Sequence, residues 1–225
     1  MVFNKSDRDF MSKNMKIIVE SIEQKLDEPF FAQYKEIAIT AISKSIKIVK
    51  EFEASGIRRD LMSFKDNQAE ASINAYLLEI NDEIEDTQVS QVFDALRYSF
   101  VCYAYDGLHQ LYTRQENECW HPKIILTEVL EPNDIDSLPP VFTLYRGCDI
   151  SELENRSFGQ AWSTSLEAAT EFAYVHYSAQ DWFNVNKRVV LETRYLRDDV
   201  LFSKQSIECE VVVDVAKLGG VSRHI

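Results

Sequence analysis

The hydrophobic residues of this chain change their spacing after residue 118, and that change constrains the fold more than any other feature. Before it, apolar side chains recur every three or four residues, which is the period of an amphipathic helix. Beyond it they alternate or form short β-branched runs, as strands do. Pro122 lies at the change, and a residue without a backbone N–H cannot continue a helix. We therefore predict an α+β protein with a helical region at 1–118, packed against a β-rich core at 119–225.

The helical periodicity of the first region falls into four segments, at residues 11–26, 30–52, 69–80 and 87–108. Ser55-Gly56 is a stop signal for the second segment, and Thr87 is expected to cap the fourth. Asp106-Gly107 is expected to break the fourth segment near its end. Residues 57–67 are polar and irregular, as in a connection or a short helix. The acidic turn at 81–86 lacks the alternating ligands and central glycine of a calcium loop.

The second region has the pattern of strands around a single helix. β-Branched and aromatic residues mark short strands at 141–146, 161–164, 188–195, 200–202 and 209–215. Residues 166–177 have helical periodicity, and Ser165 is expected to cap that helix. Long irregular connections do not fit a doubly wound sheet, and the sequence contains neither of the two usual glycine-rich nucleotide-binding motifs.

Composition excludes several classes of function. A formal net charge of −13 argues against a protein that follows nucleic-acid phosphates or binds anionic membranes. The four cysteines and four histidines show no metal-ligand spacing, so no metal site is predicted. No window approaches the roughly 18 apolar residues of a membrane span, and the first residues do not resemble a signal peptide. We predict a cytoplasmic protein with reduced thiols, a description that also fits a toxin or phage effector acting in a host cytoplasm.

Three short motifs follow one another in the second region: Leu-Tyr-Arg-Gly at 144–147, Ser-Thr-Ser at 163–165 and Glu-Cys-Glu at 208–210. A guanidinium binds phosphate oxygens bidentately, and a glycine lets a flat ring approach the backbone. Two carboxylates two residues apart in an extended segment share one face. Taken singly, each motif also fits an ordinary role as an exposed strand arginine, a helix cap or a pair of solvated carboxylates.

In this order and spacing, the three motifs resemble the catalytic core of the Arg-Ser-Glu class of mono-ADP-ribosyltransferases, which cleave NAD at the nicotinamide–ribose bond. The resemblance covers about the last third of the chain and implies a split β-sandwich with NAD as co-substrate. It implies that Arg146 contacts the pyrophosphate and that Gly147 receives the nicotinamide carboxamide. It also implies that Ser163 orders the site, with Thr164 beside it.

The same resemblance assigns an aromatic residue and the two glutamates. Phe172 is expected to stack on nicotinamide, with Tyr174 as the alternative. Glu210, at the start of a strand, is expected to stabilise the oxocarbenium-like ribose, and Glu208 to orient or deprotonate the nucleophile. In the family, a glutamate at this first position accompanies arginine as the acceptor. We therefore predict transfer of ADP-ribose to an arginine of a target protein.

Two alternatives stay open at the level of sequence. The loop before Glu208 lacks the prominent aromatic residue that many protein-modifying members use to engage a target, which favours an NAD glycohydrolase with water as nucleophile. The acidic composition favours a binding protein or inhibitor that keeps the scaffold without turnover and contacts a basic partner.

Overall fold

A computed structural model of the chain describes residues 2–57, 67–81, 84–111, 120–180, 183–206 and 208–224. Its contacts divide the chain into two units, Met1–Ile125 and Leu126–Ile225. The predicted boundary after residue 118 falls among residues 112–119, which lie outside the described residues. The expected mixture of helix and sheet is confirmed.

The first unit is helical through most of its described length. A π-helix spans Phe10–Asn14, and a 3-10 helix spans Pro29–Tyr34. Buried apolar side chains hold the helices together, and the stacked rings of Phe31 and Phe93, with centroids 5.5 Å apart, lie among them. The α-helices are α1 (Lys5–Asp9), α2 (Val19–Leu26), α3 (Lys35–Ala54), α4 (Gln68–Asn81), α5 (Thr87–Asp106) and α6 (Leu108–Leu111).

The predicted helix over 11–26 is wrong in its middle. Lys16 has a φ of 55°, and Ile17 forms an antiparallel bridge with Ile124. A residue in the left-handed region interrupts a right-handed helix. Met15 and Ile17 are nevertheless buried. The helical spacing thus located buried positions such as Met15, but it gave the wrong local structure and selected the partly buried Ile18 in place of Ile17.

The ends of α5 test two further predictions. Asp86, and not Thr87, caps this helix, because its carboxylate accepts hydrogen bonds from the backbone N–H groups of Gln88 and Val89. The predicted break is confirmed, since α5 ends at Asp106 and Gly107 has a φ of 61°. The prediction for 57–67 falls outside the described residues at 58–66. That for 81–86 does so at residues 82 and 83, and residues 84–86 belong to no helix or strand.

The second unit contains β1 (Val141–Asp149), α7 (Ser151–Glu154), β2 (Ala161–Ser163), α8 (Leu166–Tyr174), β3 (Arg188–Leu196), β4 (Val200–Lys204), β5 (Glu210–Val213) and β6 (Ser222–Arg223). The strands form a six-stranded sheet in the order β4-β5-β2-β1-β3-β6, with every pairing antiparallel. All five predicted strands are present, and Ser165 caps α8 as expected by accepting from the backbone N–H of Ala168. The strand β6 was not predicted.

The sheet is nearly divided in two along the line between β1 and β2. Strands β1 and β3 pair along their whole length, from Val141 opposite Leu196 to Asp149 opposite Arg188. Strands β1 and β2, in contrast, are in register at a single position, Tyr145 opposite Ser163. One half of the sheet is therefore β4-β5-β2, the other is β1-β3-β6, and their backbones meet at one point.

The two faces of this sheet have different environments. One face carries the apolar core, formed by side chains that alternate along each strand. Helix α8 lies on the other face, where Ala169 and Ala173 pack against Val190. The approach is close at Gly147, because a Cβ there would lie 2.1 Å from the Ala169 carbonyl oxygen and 2.4 Å from the Ala173 nitrogen. The core face includes Phe142, Leu144, Cys148, Trp162, Val189, Leu191, Tyr195, Val200, Val211 and Val213.

We expect Gly147→Ala to lower the free energy of unfolding by about 1–3 kcal/mol, because α8 must move away from β1 to admit the methyl group. Gly219→Ala is the matched control, since a Cβ at Gly219 meets nothing within 4 Å. Urea denaturation of both variants gives the comparison. Equal stabilities would show that α8 does not rest on Gly147.

Candidate active site

A row of side chains crosses the face of the sheet on which α8 lies. Residues directly opposite one another on antiparallel strands project to the same face. Following the register from strand to strand gives one such residue on each strand, and we call this set the polar row. Its members, in sheet order from β4 to β6, are Lys204, Glu210, Ser163, Tyr145, Glu192 and Ser222.

The row brings together two of the predicted site residues, Ser163 and Glu210, on neighbouring strands. Ser163 is buried, and its hydroxyl donates to the carbonyl oxygen of Glu208 at 2.7 Å and accepts from the N–H of Ser165 at 2.9 Å. One hydroxyl thus joins the turn before β5 to the start of α8. The role in ordering the site that the resemblance implies for Ser163 stays a prediction, and these two bonds are compatible with it.

The turn before Glu210 is held to the end of β2. The Thr164 N–H donates to the carbonyl oxygen of Cys209 at 2.9 Å, and the Thr164 hydroxyl donates to Gln205 Oε1 at 2.6 Å. Cys209 has a φ of 51°, so the backbone turns sharply between the two glutamates. Glu208 is exposed, whereas Glu210 is partly buried. The two carboxylates therefore have different access to solvent, although only one residue separates them.

A surface pocket of about 500 Å³ opens between the first half of β1 and the residue that follows β2. It lies beside the single point at which the two halves of the sheet meet. Among the described residues that line it, none carries a charge: hydroxyl and amide groups alternate with apolar and aromatic surface. The lining residues are Ser137, Leu138, Pro139, Phe142, Thr143, Tyr145, Thr164 and Gln205.

Side chains that the sequence analysis did not select occupy the other end of the polar row. His224 Nδ1 lies 2.7 Å from Glu192 Oε2, and the rings of Tyr145 and His224 meet edge to face with centroids 5.5 Å apart. Arg194 lies opposite Thr143 on the same face and is exposed. Tyr145 lies within the Leu-Tyr-Arg-Gly motif and could have been noticed. The others become neighbours only through strand pairing, which the sequence does not reveal.

Arg146 is not part of this arrangement. It alternates with Tyr145 along β1, lies opposite Leu191 and therefore projects to the core face. Its Nε and Nη2 donate to the two carboxylate oxygens of Glu152 at 2.9 and 2.8 Å, and its Nη1 donates to the Ala161 carbonyl oxygen at 2.6 Å. The residue is only 6% exposed. The structure thus gives no support to the predicted contact between Arg146 and the pyrophosphate.

The carboxylate of Glu152 forms an ion pair with the guanidinium of Arg146. Burial by itself would raise the pKa of Glu152. The charge of Arg146, the hydrogen bonds from Arg146 and the bond from the Gly159 N–H lower this pKa by more than burial raises it. The pKa of Glu152 therefore lies below its usual range, and the pair is ionised. Gly159 allows this packing, since a Cβ there would lie 2.4 Å from Arg146 Nη2.

Two other predicted contacts also lack support. The side of Gly147 that was expected to receive a flat ring is covered by α8. Phe172 packs against His176, with ring centroids 4.9 Å apart, and not on the polar row. Tyr174, the alternative, packs with Tyr145 against the small cluster beneath α8. The aromatic ring that lies in the row and also lines the pocket is Tyr145.

Comparisons with protein-family models, with curated proteins and with solved structures found no match. Within the described ranges, no group of three or more His, Cys, Asp or Glu side chains could hold a metal ion. In the same part of the chain, no helix combines the length and apolar character that crossing a membrane requires. The polar row and the pocket are therefore the features from which a function is inferred.

We expect Arg146→Ala to lower the free energy of unfolding by about 3–5 kcal/mol, because the substitution leaves Glu152 buried without its counter-charge. Arg194→Ala removes the same side chain from an exposed strand position and should change stability by about 0.5 kcal/mol or less. Urea denaturation at neutral pH measures both. A stable Arg146→Ala variant that binds NAD weakly would instead indicate that Arg146 contacts NAD.

Proposed function

We propose that this protein is an NAD-dependent mono-ADP-ribosyltransferase that modifies an arginine of a target protein. The observation that carries the proposal is the placement of Glu210 beside Ser163, next to a neutral pocket lined by Tyr145, Thr164 and Gln205. The ordered motifs of the sequence support the same reading. The split sandwich implied by that resemblance is part of the proposal, and the single register position between β1 and β2 favours it.

The charge distribution suits cleavage of the nicotinamide–ribose bond. Breaking this bond releases neutral nicotinamide and leaves positive charge on the ribose. A pocket whose described lining residues carry hydroxyl and amide groups and no charge suits a neutral ring that carries a carboxamide. Glu210, fixed at the start of β5, would supply negative charge next to that pocket, where the ribose must lie.

Glu208 has the properties expected of the group that receives the acceptor. It is exposed and lies on the turn that leads to Glu210, while its backbone carbonyl is fixed by Ser163. An exposed carboxylate can bind an arriving guanidinium and accept the proton that it loses on forming the new bond. The net charge of −13 would also attract a basic target surface.

The pyrophosphate needs a different partner from the one first expected, because Arg146 is bound to Glu152. Arg194 is exposed, projects to the face of the polar row and lies opposite Thr143, a residue of the pocket wall. Its guanidinium can bind phosphate oxygens bidentately. We therefore assign the phosphate contact of the proposed reaction to Arg194.

Glu210→Gln should reduce nicotinamide release and protein labelling together by about 10²-fold or more, since it removes the charge next to the developing cation. Glu208→Gln should reduce labelling of arginine much more than release of nicotinamide, because acceptor activation alone is lost. Both variants should still bind NAD. Labelled NAD, a lysate and mass spectrometry provide the assay. Near-normal nicotinamide release by Glu210→Gln would remove Glu210 from the mechanism.

Arg194→Ala should weaken NAD binding by about 10-fold or more, which corresponds to the loss of one charge-assisted contact of about 1.5–3 kcal/mol. Arg223→Ala is the matched control: Arg223 is equally exposed but lies opposite Leu191 and projects to the other face. Isothermal titration with NAD compares the two. If both variants bind NAD as tightly as the unaltered protein, the phosphate contact lies elsewhere.

One observation favours a second candidate, a binding protein that keeps this scaffold without turnover. Arg146 and Gly147, which the resemblance assigned to NAD, are both engaged in packing. On that reading, the unaltered protein releases no nicotinamide, and Glu210→Gln leaves its biological effect intact. The same assay identifies an NAD glycohydrolase, which would release nicotinamide steadily without labelling any macromolecule.

A further inference from the structure

The side-chain amide of Gln205 lies between the neutral pocket and Glu210. Its Nε2 donates to the backbone carbonyl of Glu210 at 3.2 Å and to Ser203 Oγ at 3.0 Å. Its Oε1 accepts from the Thr164 hydroxyl at 2.6 Å. A primary amide has two N–H donors, so both donors of Gln205 are used. Three strand ends, those of β4, β5 and β2, are therefore joined through one side chain.

The backbone of the same residue is also fixed. The Gln205 N–H donates to Asp134 Oδ2 at 2.7 Å, and the Asp134 N–H donates to the Ser203 carbonyl oxygen at 3.1 Å. The Cys209 thiol lies 3.7 Å from the Gln205 carbonyl oxygen, across the turn. The chain thus leaves β4 at an anchored residue, Gln205, and the side chain of that residue reaches forward to Glu210, where β5 begins.

We infer that Gln205 is a positioning residue, which holds Glu210 in place and connects it to the wall of the pocket. The inference rests on the proposed function. Gln205 forms part of the pocket wall, while its amide binds the backbone of Glu210. A carboxylate that must oppose a developing charge requires a fixed backbone, since a displacement of about 1 Å can cost about 10²-fold in rate.

The substitution Gln205→Glu tests the positioning role of Gln205, because glutamate and glutamine have nearly the same shape. The variant keeps an oxygen that can accept from Thr164, but it replaces the amide nitrogen with an oxygen that faces the Glu210 carbonyl and repels it. We expect kcat for nicotinamide release to fall about 10- to 100-fold. Gln180→Glu makes the same chemical change at an exposed position and serves as the control. Thermal unfolding of each variant confirms that it is folded.

The division between kcat and KM separates positioning from simple contact. If Gln205 only touches NAD, Gln205→Glu should raise KM and leave kcat unchanged, which would overturn the inference. The partner residue gives a rescue test. Thr164→Val removes the hydroxyl that holds the amide and should lower kcat, whereas Thr164→Ser keeps that hydroxyl and should restore it. Equal rates for the valine and serine variants would also count against the inference.

A second measurement does not depend on turnover. Cys209 lies within the turn and is partly exposed, whereas Cys102 and Cys148 are buried and serve as internal references. Releasing the turn should increase the rate at which iodoacetamide labels Cys209 in Gln205→Glu, but not in Gln180→Glu, as followed by peptide mass spectrometry. Unchanged labelling of Cys209 would overturn the inference. If the unaltered protein releases no nicotinamide, the proposed function fails, and the labelling still decides whether Gln205 holds the turn.

Discussion

The ion pair between Arg146 and Glu152 is the interaction on which the rest of the second unit depends. Strands β1 and β2 share a single register position, so their backbones alone join the two halves of the sheet weakly. Arg146 adds a second connection, because its Nη1 binds the Ala161 carbonyl oxygen on β2 while Glu152 holds the remainder of the guanidinium. Buried charges are tolerated only when they are paired and hydrogen-bonded, and this pair meets both conditions.

The position of β2 then determines the position of the candidate site. Ser163 ends β2, and its hydroxyl binds both the turn before β5 and the start of α8. Gly147, Ala169 and Ala173 bring α8 close to the sheet, so the helix begins beside Ser163 and packs near Tyr145 of the polar row. An arginine on the core face therefore supports groups on the opposite face.

The sequence predicted the local elements well and the contacts between strands poorly. Alternation located β1 and β3 to within a few residues, and Ser165 and Gly107 mark helix ends because caps and breaks are local chemistry. The alternation of apolar residues in β1 also contained information about Arg146 that the motif interpretation did not use. Leu144 and Cys148 flank Arg146 at a spacing of two, which places all three on one face, and that face is the core. The motif resemblance assigned Arg146 to NAD, although this alternation places it on the core face.

Other features could not be read from the sequence in any form. The neighbours Glu192 and His224 depend on the pairing of β3 with β6, and a two-residue strand has no period to detect. Glu210 is adjacent to Ser163 only because β5 inserts between β4 and β2. Register is a property of two segments together, so one strand's pattern gives its faces but not its partner.

The strand order also has a consequence for how the molecule reaches its native state. The polar row brings together residues that are as far apart in sequence as Tyr145 and Ser222. Within the sheet, β2 lies between β1, which directly precedes it among the strands, and β5, which comes much later in the sequence. Contacts between residues far apart in sequence form slowly, because a long loop must close first, whereas helices form from local contacts. The helical unit can therefore fold early, while the polar row is complete only when the last strands have docked. An intermediate without β5 has a sheet but no Glu210 beside Ser163.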